Sequence, residues 1–293
     1  MYTGRQIAIF TDIHGLLEPT IAVLYDIKRR GIKEIYSLGD DIGIGPNPRE
    51  VLELLKENNV KSINGNAEEY IILGSKPFES YFDRRRMVDK EWTKSKLTSS
   101  EIIDLANNKH SYDLEVGGKK IGLCHFANDV RIDFDDRSTY SYQFAINSSN
   151  PNRQFYYTNS ETQKREIEEK SKNILSQYYG FHSAKKDPIF GGKTVDYYDE
   201  IIEGHVHFRM LSEDAKSRIR TIRGLAIGYS SIDPVDFASY IIIKEKNIGY
   251  DVEEVLVPYN RTKMLKSIEK SDMPIKTTIN SFVKKEEERT RMR

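Results

Sequence analysis

Seven residues of this chain combine metal-ligating side chains with a recurring placement: Asp12, His14, Asp40, Asn66, His125, His205 and His207. Each lies just past a short apolar run, as in IAIF (7–10) followed by TDIHG (11–15). The chain has six histidines, and four of them fall in this set. A solvated surface does not explain such a concentration. Oxygen and imidazole donors suit Mn, Fe or Zn better than Ca, and the lack of thiolate donors argues against a structural zinc finger. Seven donors from five loops exceed what one ion takes. Two divalent ions, roughly 3.5–4 Å apart and bridged by one carboxylate, would use them all. That arrangement suits phosphoester hydrolysis, in which one ion lowers the pKa of a water and both take up charge in the transition state.

Each residue also has a plainer reading. An Asp-x-His pair such as Asp12 and His14 is a common strand-end turn. Asp40 and Asp41 could be a charged turn, with Asp41 a helper or structural residue. Asn66 could be a left-handed turn residue. His125 could be a packed histidine at a strand end. His205 and His207 alternate along an extended segment and would point to opposite faces, unless a tight loop turns both inward. It is the set, rather than any one member, that favours ligation.

The elements that would position these residues follow a regular order. Ile7–Phe10 reads as a buried strand. Residues 18–30 have helical spacing with Ile21, Leu24, Tyr25 and Ile27 on one side, and Gly31 stops the helix. Glu34–Leu38 is a second strand, Pro48 opens a helix to about Asn58, and Val60–Asn64 is a third strand. This β-α-β-α-β order predicts a parallel sheet covered by helices, with ligands bound beyond the carboxyl ends of its strands. Residues 76–115 read as mainly helical and polar, with a charge run at Arg84–Arg86 that is more often a solvated helix face than a phosphate clamp. Lys120–Cys124 is a strand, and His125 follows it. Further strands are expected at Tyr198–Ile202, Thr221–Ile227, Ser239–Lys244 and Tyr250–Val257, with a closing helix over Tyr259–Ile268 and a frayed KKEEERTRMR tail.

Composition narrows the class. The 293 residues carry 45 Lys+Arg against 45 Asp+Glu, and 38% are hydrophobic. That is enough for one large folded domain over residues 1–293. The neutral balance argues against a broad nucleic-acid surface. The single cysteine, Cys124, suits a reducing compartment. No apolar segment approaches the roughly 20 residues of a membrane helix, and the N-terminus does not read as a signal peptide. The expected location is the cytoplasm. Nothing in the sequence specifies an oligomeric state.

The motifs DIH (12–14), GDDIGIGPNP (39–48), GN (65–66), His125 and GHVH (204–207) together resemble, in order and spacing, the signature of the calcineurin-like metallophosphoesterases. The GPNP extension is similar to a bacterial and archaeal branch of small phosphodiesterases, some of which resemble dinucleoside polyphosphate hydrolases. The resemblance implies a four-layer αββα sandwich of two mixed β-sheets flanked by helices. It implies two divalent metal ions, Mn or Fe first and Zn or Mg next. Asp12, His14 and His207 would hold one ion, Asn66, His125 and His205 the other, and Asp40 would bridge them. Asp40, Asn66 and His125 would thereby take part in catalysis.

Two departures stand out. Many relatives follow the Asn of the third motif with His and an acid, where Gly65-Asn66-Ala67-Glu68 stands here, and that His hydrogen-bonds the phosphate and protonates the leaving group. Ala67 sits where that His would be. The glycine-serine turn after the last motif appears only loosely, as GLAIGYSS (224–231). With the usual donor missing, His182 in YYGFHSAKKD is a candidate acid arriving from a lid, although a packing or surface role is the plainer reading. Residues 128–196 break the αβ pattern and read as an inserted lid. Their aromatic residues could form a small core of their own, or stack on a base beside Arg131, Arg137 and Arg153 clamping phosphates. The expected partner is a small-molecule phosphate ester, a nucleotide such as a dinucleoside polyphosphate or phosphodiester. Alternatives are a protein phosphatase, a cyclic-nucleotide phosphodiesterase or a nuclease of the same chemistry, a non-catalytic binding scaffold, and a metal-storage or sensor protein.

Overall fold

The residues Ile7, Ala8, Ile9 and Phe10 are all fully buried, yet they belong to two separate cores. The reason is visible in the computed structural model, which describes residues 1–73, 84–109, 111–125, 197–205, 210–211, 219–226 and 236–274. In chain order its elements are β1 (Tyr2–Phe10), α1 (Leu17–Arg29), β2 (Glu34–Ser37), α2 (Pro48–Glu57), β3 (Lys61–Ser62), α3 (Asn66–Leu73), α4 (Arg84–Ser95), α5 (Ser99–Ala106), β4 (Ser111–Val116), β5 (Lys119–Cys124), β6 (Glu200–Glu203), β7 (Met210–Leu211), β8 (Ile219–Thr221), β9 (Phe237–Lys246), β10 (Tyr250–Pro258) and α6 (Arg261–Lys270).

Among the described residues two five-stranded sheets form, in the orders β10-β9-β1-β2-β3 and β4-β5-β6-β8-β7. Both are mixed. In the first, β1, β2 and β3 run parallel while β9 and β10 are antiparallel. In the second, β5, β6 and β8 are parallel and β4 and β7 close the edges antiparallel. Successive strand side chains point to opposite faces. Ala8 and Phe10 therefore join Val23, Leu24 and Ile27 of α1, Val51 and Leu55 of α2, and Met264 and Ile268 of α6 in a helix-covered core. Ile7 and Ile9 face the other way and meet Leu114, Val116, Ile121, Leu123 and Ile202 between the sheets. A third cluster of Ile42, Ile71, Leu97 and Leu105 roots the 39–48 loop on α3 and α5. Two mixed sheets with flanking helices are what the motif pattern predicts.

Several local expectations are corrected. Residues 76–115 are not helical to their end, because Ser111–Val116 is a strand that pairs with β5 across Gly117-Gly118. Both glycines have positive φ, 56° and 73°, as the tightest hairpin turns require. On α1 the buried face is Thr20, Val23, Leu24 and Ile27, whereas Ile21 and Tyr25 are exposed. Positions 20, 23, 24 and 27 form one stripe at helical spacing, and Ile21 and Tyr25 lie on its flank. The third strand shrinks to two residues, with Ile63 bridging to Lys109. The strand expected over Thr221–Ile227 stops at Thr221, since Leu225 donates its N–H to the carbonyl of Thr11 rather than to a ladder. The strand expected from Tyr198 begins at Glu200, and β7 was not foreseen. The 128–196 insertion and the C-terminal tail lie outside the described residues. Among the described residues, no helix is long and apolar enough to cross a membrane.

Candidate metal centre

The five motif loops leave the carboxyl ends of β1, β2, β3, β5 and β6, and backbone hydrogen bonds join them. The β1–β2 pairing continues past the strands. Leu38 N donates to Phe10 O at 2.9 Å, Asp12 N to Gly39 O at 2.9 Å, His14 N to Asp40 O at 2.8 Å, and Gly15 N to Asp41 O at 2.8 Å. This lacing sets the first motif against the second. It also holds an unusual backbone. Asp12, His14 and Asp40 each have φ of 54° and His205 has 72°, four of the five non-glycine residues with positive φ among those described. Such conformations cost on the order of 1–3 kcal/mol each and persist only where surrounding structure imposes them.

The side chains converge. Oδ2 of Asp12 accepts from Thr11 Oγ1 at 2.8 Å and from the His205 N–H at 2.9 Å, while Oδ1 lies 3.8 Å from His14 Nε2. Oδ2 of Asp40 lies 3.6 Å from that same His14 Nε2, and its Oδ1 lies 3.6 Å from His125 Nε2. Asp40 thus turns one oxygen toward each of two histidines. On the far side, His125 Nε2 is 3.1 Å from Asn66 Oδ1 and 3.1 Å from His205 Nδ1, and the latter two are 2.8 Å apart. His125 Nδ1 lies 2.8 Å from the Leu38 carbonyl oxygen. A carbonyl only accepts, so Nδ1 carries a proton, and in the neutral ring Nε2 holds the lone pair that faces the site.

This donor set fits divalent cations. Adjacent ligands of an ion with bonds of about 2.1 Å stand about 3 Å apart in octahedral geometry, close to the spacing of the Asn66, His125 and His205 triangle. Donor atoms of Asp12, Asp40 and His125 all lie within 4.8 Å of one another. Asp12, Asp40, Asp41 and Glu68 are all buried, at 2% exposure or less. Burial pushes both Asp41 and Glu68 above the usual carboxylate range, and the charges of Asp40 and Asp41 push Glu68 further. A buried concentration of negative charge of this kind calls for positive charge.

Glycines admit the close approach. A Cβ on Gly204 would meet Thr11 Oγ1 at 2.0 Å and Asp12 Oδ2 at 2.9 Å. One on Gly65 would meet Asp40 Oδ1 at 2.3 Å.

Six of the seven expected ligands, Asp12, His14, Asp40, Asn66, His125 and His205, are therefore brought together. Asn66 is the first residue of α3 rather than a left-handed turn residue. His205 sits in a left-handed turn rather than an extended segment. His207, His182 and His110 lie outside the described residues, as do Arg131, Arg137 and Arg153 and the side chains of Arg84–Arg86. Asp41 is buried behind the site and accepts from Ser37 Oγ, consistent with a structural part. Glu68 stands where many relatives carry an acid, but the sequence alone assigns it no role. Its signal was the spacing of an acid three residues after Gly65, the pattern of a helix-capping acid.

No family model matches the chain. An uncharacterized protein of Methanocaldococcus jannaschii is 38% identical over 120 residues, 41% of this chain and 49% of that protein. The match thus spans about half the length of that curated relative. Two solved structures are similar over almost the whole chain. A hypothetical protein from Pyrococcus horikoshii OT3 gives a TM-score of 0.63 at 16% identity, covering 94% of this chain and 96% of that one. A metallophosphoesterase from Sphaerobacter thermophilus gives 0.53 at 19% identity, covering 92% and 95%. The chain has the metallophosphoesterase fold that its motifs resemble.

Proposed function

We propose that this chain is a phosphoesterase of the calcineurin-like kind that works with two divalent metal ions, Mn or Fe first among them and Zn or Mg next. The observation that carries this reading is the double aim of Asp40, with Oδ2 3.6 Å from His14 Nε2 and Oδ1 3.6 Å from His125 Nε2. A carboxylate so placed serves two sites at once. Asp12, His14 and His207 would hold one ion, and Asn66, His125 and His205 the other. Bound there, such ions lower the pKa of a water and take up the charge that develops on a phosphate.

The chain's own residues then do the positioning. Nδ1 of His125 donates to the Leu38 carbonyl, so in the neutral ring Nε2 is the lone-pair donor that faces the site. The N–H groups of Ala67 and His205 hold Asp40 Oδ1 and Asp12 Oδ2 at 2.7 and 2.9 Å. Ala67 supplies no proton to a departing group, which favours leaving groups that need none, such as a phosphate. A nucleotide substrate with a phosphate leaving group fits that preference, so a dinucleoside polyphosphate is the first choice and a phosphodiester, whose leaving alkoxide needs a proton, the second. The GPNP loop and the arginines and aromatics of 128–196 support this choice from the sequence side.

The test is chelation and reconstitution. Metal-stripped protein should be inactive toward bis-p-nitrophenyl phosphate and regain activity with Mn²⁺. A panel of phosphomonoesters, phosphodiesters, cyclic nucleotides and dinucleoside polyphosphates then ranks substrates. Full hydrolysis by protein with no measurable bound metal would overturn the reading.

A further inference from the structure

Glu68 is 1% exposed, and its carboxylate is spent entirely on backbone. Oε2 accepts the N–H of Asp40 at 2.9 Å and of Gly65 at 2.7 Å, and Oε1 accepts the N–H of Ile42 at 3.2 Å. These three donors sit on two loops. One carries Asp40, and the other leads straight into Asn66. We propose that Glu68 is a positioning residue that clasps the second motif to the third and so sets the separation of Asp40 from Asn66. The inference rests on the two-metal reading of the site.

Three features give the clasp its reach. It joins residues that chain connectivity leaves 28 apart, since Glu68 and Asp40 have no local reason to meet. It grips Asp40 from behind while the side chain of Asp40 faces the histidines. The adjacent Ala67 N–H donates to Asp40 Oδ1 at 2.7 Å, so the first turn of α3 holds both the backbone and the side chain of that residue. Finally, three N–H donors on one side chain require acceptors at both of its oxygens. An amide of the same shape offers one oxygen and one NH₂, and the NH₂ would face an N–H with nothing to accept it. Glutamine therefore cannot reproduce the clasp, although it preserves size.

A plainer role is available. Glu68 to Gly65 N is the return half of a capping box at the start of α3, and a cap stabilises a helix without touching metal affinity. The two roles separate on Mn²⁺ binding. The experiment titrates metal-stripped wild type, Glu68→Gln and Glu68→Asp with Mn²⁺ by calorimetry, with circular dichroism reporting the fold. Both variants should be folded and bind Mn²⁺ roughly 10–100-fold more weakly, the loss expected when a residue supporting metal ligands is removed. Aspartate keeps the charge but draws the carboxylate back by one methylene, so its failure assigns the effect to position. Folded variants that bind Mn²⁺ with wild-type affinity and lose only thermal stability would leave Glu68 as a helix cap and overturn the proposal. If the variants do not fold, amide hydrogen exchange on metal-free wild type decides. The N–H groups of Asp40, Ile42 and Gly65 should be protected and open together, and independent fast exchange of any one overturns the clasp. A wild type that takes up no Mn²⁺ removes the metal site itself, and this role with it.

Discussion

The α-carbon of Gly65 lies so close to Asp40 that a methyl group added to it would stand 2.3 Å from Oδ1 and 2.6 Å from the backbone N, with His125 Cε1 at 2.9 Å. No side chain with a Cβ fits there unless Asp40 or His125 moves. Gly65→Ala should therefore fold, because the cores lie elsewhere, and yet lose metal uptake. Metal analysis after dialysis against Mn²⁺ checks this. Wild-type metal content in Gly65→Ala would mean that the loops yield without disturbing the site.

Asp40→Asn removes the charge shared by the two halves of the site and leaves one oxygen where two are needed. Turnover of bis-p-nitrophenyl phosphate should fall by roughly 10²–10³-fold or more, the scale of losing a central electrostatic element. Both metal equivalents should weaken together in a titration. If only one weakens, Asp40 serves a single site.

The absence of an acid at position 67 predicts a steep dependence on the leaving group. Wild type should hydrolyse p-nitrophenyl and phosphate-leaving substrates readily and alkyl diesters poorly. Ala67→His restores a donor at that position and should raise alkyl-diester rates by about 10²-fold while hardly changing p-nitrophenyl rates. Equal changes in both series would show that the new histidine acts on binding rather than on proton transfer.

Away from the site, Asp26 ties α1 to the first sheet. It accepts from Arg29 and Arg30, each at 2.7 Å, and from the Tyr240 hydroxyl at 2.8 Å. Burial alone would raise its pKa, but these three bonds outweigh burial and leave it below the ordinary value. A folded pKa below the unfolded one, about 3.9, gives stabilisation that is full above that pH and is lost as pH falls through the folded value. Asp26→Ala should cost about 1.5–3 kcal/mol at pH 7. The gap in melting temperature between variant and wild type should narrow at pH 3. A gap equally wide at both pH values would show that the cost is packing, not charge.

The sequence by itself determined the parts that rest on local pattern. Apolar runs of strand length place IAIF at the end of β1, Pro48 starts α2, and ligand-type residues cluster where such runs stop. The positions of Asp12, His14, Asp40, Asn66, His125 and His205 could be read because strand ends in an αβ order share one edge. Tertiary structure alone decided what depends on residues far apart in the chain. Which nitrogen of His125 faces the site is set by Leu38, 87 residues away, and the orientation of Asp12 is set by the N–H of His205, 193 residues away. Left-handed backbone is uncommon for any non-glycine residue, even for Asp and His, which adopt it more often than most, so no propensity announces it at Asp12, His14 and Asp40. The role of Glu68 is not legible for the same reason. Its local spacing marks a helix cap, and only the folding of the 39–42 loop onto α3 brings the other two N–H groups to its carboxylate.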